Sequence, residues 1–210
     1  MLYKETVESS TLELLNSLQS QPYLVGFYLV GGTALALRIG HRRSVDLDLF
    51  SNFSFDVVQL LENLTADYNF NLFFSANNTI KGSIDNVKVD FISHRYPFIS
   101  EPVVEEEIEM LSFQDIIAMK LNAISANGQR VKDFIDIFYL IRSFSIEQMI
   151  GFYKKKYTNY NEVSVLKSLV YFDDIDFNDW PEITAEPNLK WHVVKNELEK
   201  SVKKYLKQRL

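Results

Sequence analysis

Phe27-Tyr-Leu-Val-Gly-Gly-Thr-Ala-Leu-Ala-Leu-Arg-Ile-Gly-His-Arg-Arg-Ser-Val-Asp-Leu-Asp-Leu-Phe-Ser51 is the stretch on which the fold turns. An apolar strand over residues 27–30 leads into a Gly31-Gly32 turn, a short helix over residues 33–39, a basic loop and a second strand. On that second strand Asp46 and Asp48 alternate with Val45, Leu47 and Leu49. Strand side chains alternate between faces, so the two carboxylates project together and the three aliphatics are expected in a core. Paired carboxylates suit a hard cation such as Mg²⁺, which takes oxygen ligands from one or two carboxylates, water and substrate phosphate. Upstream, Gly31 and Gly32 lack the Cβ that keeps a ligand off the backbone, and a helix opening at Thr33 offers free N–H groups to phosphate oxygens. Gly-Gly before a helix is often only a turn, and Asp-x-Asp often faces solvent. Joined in one strand-turn-helix-strand unit, they point to phosphate chemistry.

Outward from this unit, residues 3–20 read as an amphipathic helix with Val7, Leu12, Leu14, Leu15 and Leu18 toward a core, closed by Gln21-Pro22. Downstream, a helix is expected over about 55–65 with Val57, Leu60, Leu61 and Leu64 apolar. Strands follow at 70–75, 79–84 and 87–93, the last two joined by a tight turn at Asp85-Asn86. In the third of these, Val87, Val89 and Phe91 alternate with Lys88 and Asp90, so Asp90 stands on the side away from the core. It can stand beside the Asp46 and Asp48 pair. Lys88 and His94 receive no role. Ile108, Met110 and Leu111 mark a last strand, and Ser112 with Asp115 three residues on reads as a helix cap.

The helix after Ser112 should run to about Ala126 and carries a single basic residue, Lys120. A second, over about 130–142, carries Lys132, Asp133 and Asp136. From Ser145 the chain reads as helical, with breaks near 158–161 and 173–187 and a final helix over about 188–208. Trp180 and Trp191 flank the second break, where anchoring a helix against a core is the preferred role over stacking a base.

The set Gly31-Gly32-Thr33 followed by Gly40-His-Arg-Arg-Ser-Val-Asp-Leu-Asp-Leu-Phe50 resembles the signature of the AbiEii/AbiGii nucleotidyltransferase toxins, a family of the DNA polymerase β-like superfamily. The resemblance spans residues 26 to about 142. It implies an α+β fold, a mixed β-sheet flanked by helices, with a nucleotidyltransferase-fold core over 1–111. Residues 112–210 would form a mainly helical part that completes the site and offers an acceptor surface. It implies a metal ion, Mg²⁺ or Mn²⁺, held by Asp46, Asp48 and Asp90, with nucleoside triphosphate (NTP) as donor bound by Gly31, Gly32, Thr33, Arg42 and Ser44. Lys120 and the Lys132-Asp133-x-x-Asp136 element are similar to the family's later motifs, which makes Lys120 and Asp133 further catalytic candidates. Asp136 is the alternative partner, and the family commonly has arginine where Lys132 stands. The implied activity is transfer of a nucleoside monophosphate to a hydroxyl of RNA, including transfer RNA, by the toxin of a toxin-antitoxin pair with a cognate antitoxin protein. Transfer to a small-molecule hydroxyl, and a catalytically silent nucleotide-binding module, are the competing readings.

Composition narrows the field. At 210 residues and 47% hydrophobic content the chain can bury a substantial core, while 7 glycines and 5 prolines leave little for flexible linkers. With no cysteine, disulfides, thiolate zinc sites and thiol catalysis are excluded. His41, His94 and His192 are too scattered for a zinc centre, and no phosphate-loop, dinucleotide or nucleophile-elbow motif occurs. No membrane span and no leader is read from the pattern, so a cytoplasmic protein is expected. The net charge of −6 argues against indiscriminate coating of nucleic acid. Local basic groups remain: Arg38, His41, Arg42 and Arg43 beside the carboxylates, Lys154 to Lys156, and the lysines of the final helix.

Overall fold

The computed structural model describes residues 1–158 and 161–209, in two compact units, Met1–Leu111 and Ser112–Leu210. The first carries seven strands: β1 (Tyr28–Leu29), β2 (Leu47–Ser51), β3 (Phe70–Ala76), β4 (Thr79–Ile84), β5 (Val87–Ser93), β6 (Val103–Glu105) and β7 (Ile108–Met110). They form one sheet in the order β3-β4-β5-β2-β1-β7-β6, parallel at β2-β5 and β1-β7 and antiparallel elsewhere. With helices α1 (Ser9–Gln19), α2 (Gly31–Ile39) and α3 (Val57–Asp67), this is the mixed sheet and helix architecture that the sequence implies.

One face of the central strands builds the core: Leu47 and Leu49 of β2, Val89 and Phe91 of β5, and Ile80 and Ile84 of β4 are all buried, as are Leu15 and Leu18 of α1 and Leu60 and Leu64 of α3. Each such side chain contributes about 1.5–3 kcal/mol. Period-2 alternation then forces Asp48, Asp90 and Lys81 onto the other face.

Several boundaries differ from the sequence reading. The glycines do not form a separate turn; they are the first residues of α2, with Val30 as N-cap and Gly31 at φ +70°, so strand hands over to helix at once. Strand β2 begins only at Leu47, and Val45 is 56% exposed rather than in the core. The preceding loop is pinned elsewhere, Ser44 N–H donating to the Thr6 carbonyl at 3.0 Å, which keeps Val45 out of the ladder. The single N-terminal helix is instead a 3-10 turn (Lys4–Thr6) and α1, separated by the extended Val7 and Glu8. The last strand of the sheet is a hairpin, β6 and β7, turned by Glu106 and Glu107 at φ 49° and 71°. Glutamate is not a usual residue there, which hid the turn.

A side chain completes the sheet beside β1. The Glu109 peptide of β7 is met by the Gln19 amide, which donates from Nε2 to the Glu109 carbonyl at 2.7 Å and accepts the Glu109 N–H at 3.0 Å.

The second unit is helical: α4 (Phe113–Ala126), α5 (Val131–Leu140), α6 (Ile146–Lys156), α7 (Glu162–Ser168) and α8 (Trp191–Lys207). Of the break expected near 158–161, residues 159 and 160 lie outside the described residues. Trp191 opens α8 with its ring edge-to-face against Phe134, Phe172 and Phe177, an anchoring role. Ser112 caps α4, and Asp115 bridges Ser112 Oγ (2.6 Å) to Lys156 Nζ of α6 (2.7 Å). Both ions are buried, so Asp115→Ala would strand a charged ammonium in the core. We expect a loss of about 3–5 kcal/mol, read by urea denaturation, and a smaller loss in the paired Asp115→Leu, Lys156→Met variant.

Candidate active site

The face of the sheet opposite the core gathers the carboxylates. In the parallel pairing of β2 with β5, Asp48 stands directly across from Asp90, about 4.8 Å apart along the sheet. In the antiparallel pairing of β5 with β4, Asp90 stands across from Lys81, whose ammonium lies 3.0 Å from Asp90 Oδ2. Asp90 is 4% exposed, and its Oδ1 is buried without a hydrogen-bond partner. Asp46 lies two residues before Asp48 in the extended approach to β2, half-buried, and its carbonyl accepts from the buried Thr33 hydroxyl. Among the described residues no three His, Cys, Asp or Glu side chains converge closely enough to hold a metal ion. The structure thus brings Asp48 and Asp90 together and leaves Asp46 beside them without closing a three-carboxylate cage.

The start of α2 abuts this pair. A Cβ on Gly31 would come within 2.6 Å of Asp48 Oδ2, and one on Gly32 would fall on the Arg42 guanidinium, with Ser44 Oγ 3.4 Å away. No side chain caps α2. Thr33 is buried and bonded to Ser44 Oγ at 2.8 Å, which ties the first turn of α2 to the basic loop. Arg42 is 2% exposed, and its Nη1 donates to the Arg43 carbonyl at 2.9 Å. Gly31, Gly32, Thr33, Arg42 and Ser44 therefore form one contiguous patch next to Asp48. Arg38 is committed to Glu105 Oε1 at 3.0 Å, and burial pulls its guanidinium below the ordinary arginine range.

The donor set fits a divalent cation. Two carboxylates are held side by side, one with an unpartnered buried oxygen, and both offer the hard oxygen ligands that Mg²⁺ takes. Asp48 lies at the positive end of α2, which favours its negative charge.

In the second unit Lys120 of α4 is buried, its ammonium 2.6 Å from Asp133 Oδ1 and 2.7 Å from Asp136 Oδ2 of α5. Lys120 is thus paired with both Asp133 and Asp136. Asp133 Oδ2 is buried without a hydrogen-bond partner.

Lys81 escaped the sequence reading although the signal was present. Strands β4 and β5 flank the two-residue turn Asp85-Asn86, whose positive φ angles of 48° and 69° make it a tight hairpin. Counting outward from that turn sets Lys81 against Asp90.

Residues 13–207 match the family model described as the nucleotidyl transferase AbiEii toxin of a type IV toxin-antitoxin system. An uncharacterised protein of Aquifex aeolicus (strain VF5) is 32% identical over 186 residues, 86% of this chain and 88% of that protein. A crystal structure from H. pylori, whose nucleotidyltransferase assignment is itself provisional, superposes with a TM-score of 0.56 at 15% identity, covering 97% of this chain and 99% of that one. The last shares the fold.

Gly31→Ala forces a Cβ into the left-handed region and against the Asp48 carboxylate. We expect a loss of at least about 1–2 kcal/mol in urea denaturation, more than for Gly151→Ala, where nothing lies within 4 Å of the added Cβ.

Proposed function

Since the chain belongs to the AbiEii nucleotidyltransferase toxin family of type IV toxin-antitoxin systems and is a nucleotidyltransferase, we propose that it transfers a nucleoside monophosphate from an NTP to a hydroxyl of an RNA acceptor. The observation that carries this is the Asp48 and Asp90 pair, set side by side against the uncapped start of α2.

In this reading Asp46 and Asp48 hold Mg²⁺ or Mn²⁺, with Asp90 as the shared third carboxylate. When bound, the cation supplies charge neutralisation on the reacting phosphate and orients it. The first N–H groups of α2, exposed by Gly31 and Gly32, take non-bridging phosphate oxygens, and the Arg42 guanidinium and Ser44 hydroxyl face the rest of the triphosphate. Asp90 is held at Oδ2 by Lys81, which leaves Oδ1 to accept the proton of the acceptor hydroxyl. The hydroxyl oxygen forms a bond to the α-phosphorus, the bond to the bridging oxygen breaks, and pyrophosphate departs with the electron pair.

The Lys120 cluster of the second unit is proposed as a functional element in its own right. An ammonium clamped between Asp133 and Asp136 has a fixed position, and fixed charge is what phosphoryl chemistry uses. Family membership also brings an antitoxin partner, and we propose that the chain is the toxin of the pair. Among the described residues no helix is long and apolar enough to cross a membrane.

The test is incubation with each labelled NTP, Mg²⁺ and total RNA. Wild-type protein should place label in RNA, and an Asp46→Ala/Asp48→Ala double variant should not. Asp90→Asn should slow transfer by about 10²–10⁴-fold, the span of a lost general base. Undiminished transfer by the double variant would sink the metal-site assignment, and label on a small-molecule hydroxyl alone would sink the RNA acceptor.

A further inference from the structure

The row that contains Asp48, Asp90 and Lys81 does not end at Lys81. Strand β3 pairs with β4 across the turn at Asn77 and Asn78, and its register places Phe74 opposite Lys81. Directly paired residues share a face, so Asp48, Asp90, Lys81 and Phe74 lie in one line across four strands. Phe74 is 53% exposed, and its bulged neighbour Phe73 is 58% exposed. Lys88, opposite Ser83 and two residues along β5 from Asp90, places an exposed ammonium on the same face.

We infer that this face of β5, β4 and β3 receives the end of a single-stranded RNA, with its terminal base laid on the ring of Phe74. The inference rests on the RNA-acceptor reading above and names where that acceptor sits. Sheet order separates the two substrates. The phosphate-facing start of α2 lies on the β1 side of Asp48, whereas β5, β4 and β3 lie on the opposite side, beyond Asp90. A hydroxyl presented to Asp90 therefore arrives with its nucleoside over β4 and β3. Phe74 stands two strand spacings from Asp90, roughly 10 Å between backbones, a gap that its ring and one nucleotide bridge.

The chemistry of the face matches that occupant. Exposed aromatics bind bases of any identity by stacking, and Lys81 and Lys88 place positive charge where the diester backbone would run. The same ammonium that holds Asp90 Oδ2 thus borders the acceptor strand. Beyond the carboxylates, the exposed ring of Phe74 and the exposed Lys88 are the groups of this face that would meet a base and a phosphate.

The experiment measures binding of a fluorescently labelled single-stranded oligoribonucleotide with a free 3′ hydroxyl, by anisotropy at low salt and without NTP. Phe74→Ala should weaken binding by about 10-fold and Phe74→Trp should restore it, while retention of each NTP in the presence of Mg²⁺ is unchanged. Lys88→Ala should flatten the salt dependence. An oligonucleotide ending in 5-iodouridine should photo-cross-link to the β3 peptide. Equal binding by wild type and Phe74→Ala would overturn the inference, as would a cross-link confined to other segments. A wild-type protein that does not hold the oligonucleotide would overturn it too, without touching the NTP labelling assay that decides nucleotidyl transfer. If Phe74→Ala instead altered the oligomeric state and left RNA affinity intact, β3 would be a self-association strand and the inference would fail.

Discussion

Parallel pairing of β2 with β5 is the constraint from which the site follows. It sets Asp48 beside Asp90, two acidic residues whose backbone spacing the ladder hydrogen bonds fix. Carboxylates placed so need compensating positive charge. Lys81 supplies one unit from β4, and the start of α2 lies against Asp48. Both compensations come from the backbone arrangement: the first from a hairpin register, the second from a strand that turns into a helix at Gly31. The electrostatic tension is thus built by the sheet itself.

The second unit handles buried charge differently. Lys156 with Asp115 and Lys120 with Asp133 and Asp136 are internal pairs between helices. The first matches one ammonium with one carboxylate, and its other oxygen is satisfied by the Ser112 hydroxyl. The second places two carboxylates on one ammonium and leaves Asp133 Oδ2 unpartnered. Asp115 thus uses both of its oxygens to join two helices, whereas Asp133 engages Lys120 through one oxygen alone.

Legibility in the sequence followed the range of the interaction that decides each feature. The alternation in β5 and the Asp85-Asn86 turn are local, and the strand over 87–93, the turn and the outward face of Asp90 were all readable. The cap at Ser112 is local too, and α4 starts where it predicts. The exposure of Val45 was not readable, because it depends on a bond between Ser44 and Thr6 across the fold. That Asp90 joins the Asp46 and Asp48 pair was expected, but its exact register opposite Asp48 was not readable, since a parallel ladder joins strands separated by a helix and a hairpin and no turn sets its register. Lys81 lay between these cases: hairpin counting reaches it, but only after Asp90 has been singled out.

Strand β1 has two residues, and it can be so short because the Gln19 amide takes the place of a third against Glu109. The main chain leaves the sheet at the other end of β1. Val30 N–H donates to the Asp48 carbonyl at 2.9 Å, and in the next residue the chain begins a helix. One more residue pair of backbone strand would rise about 6.6 Å, enough to carry the glycines past the carboxylate they now abut. The end of β1 at Val30 thus sets the level at which the first residues of α2 and the Asp48 carboxylate meet.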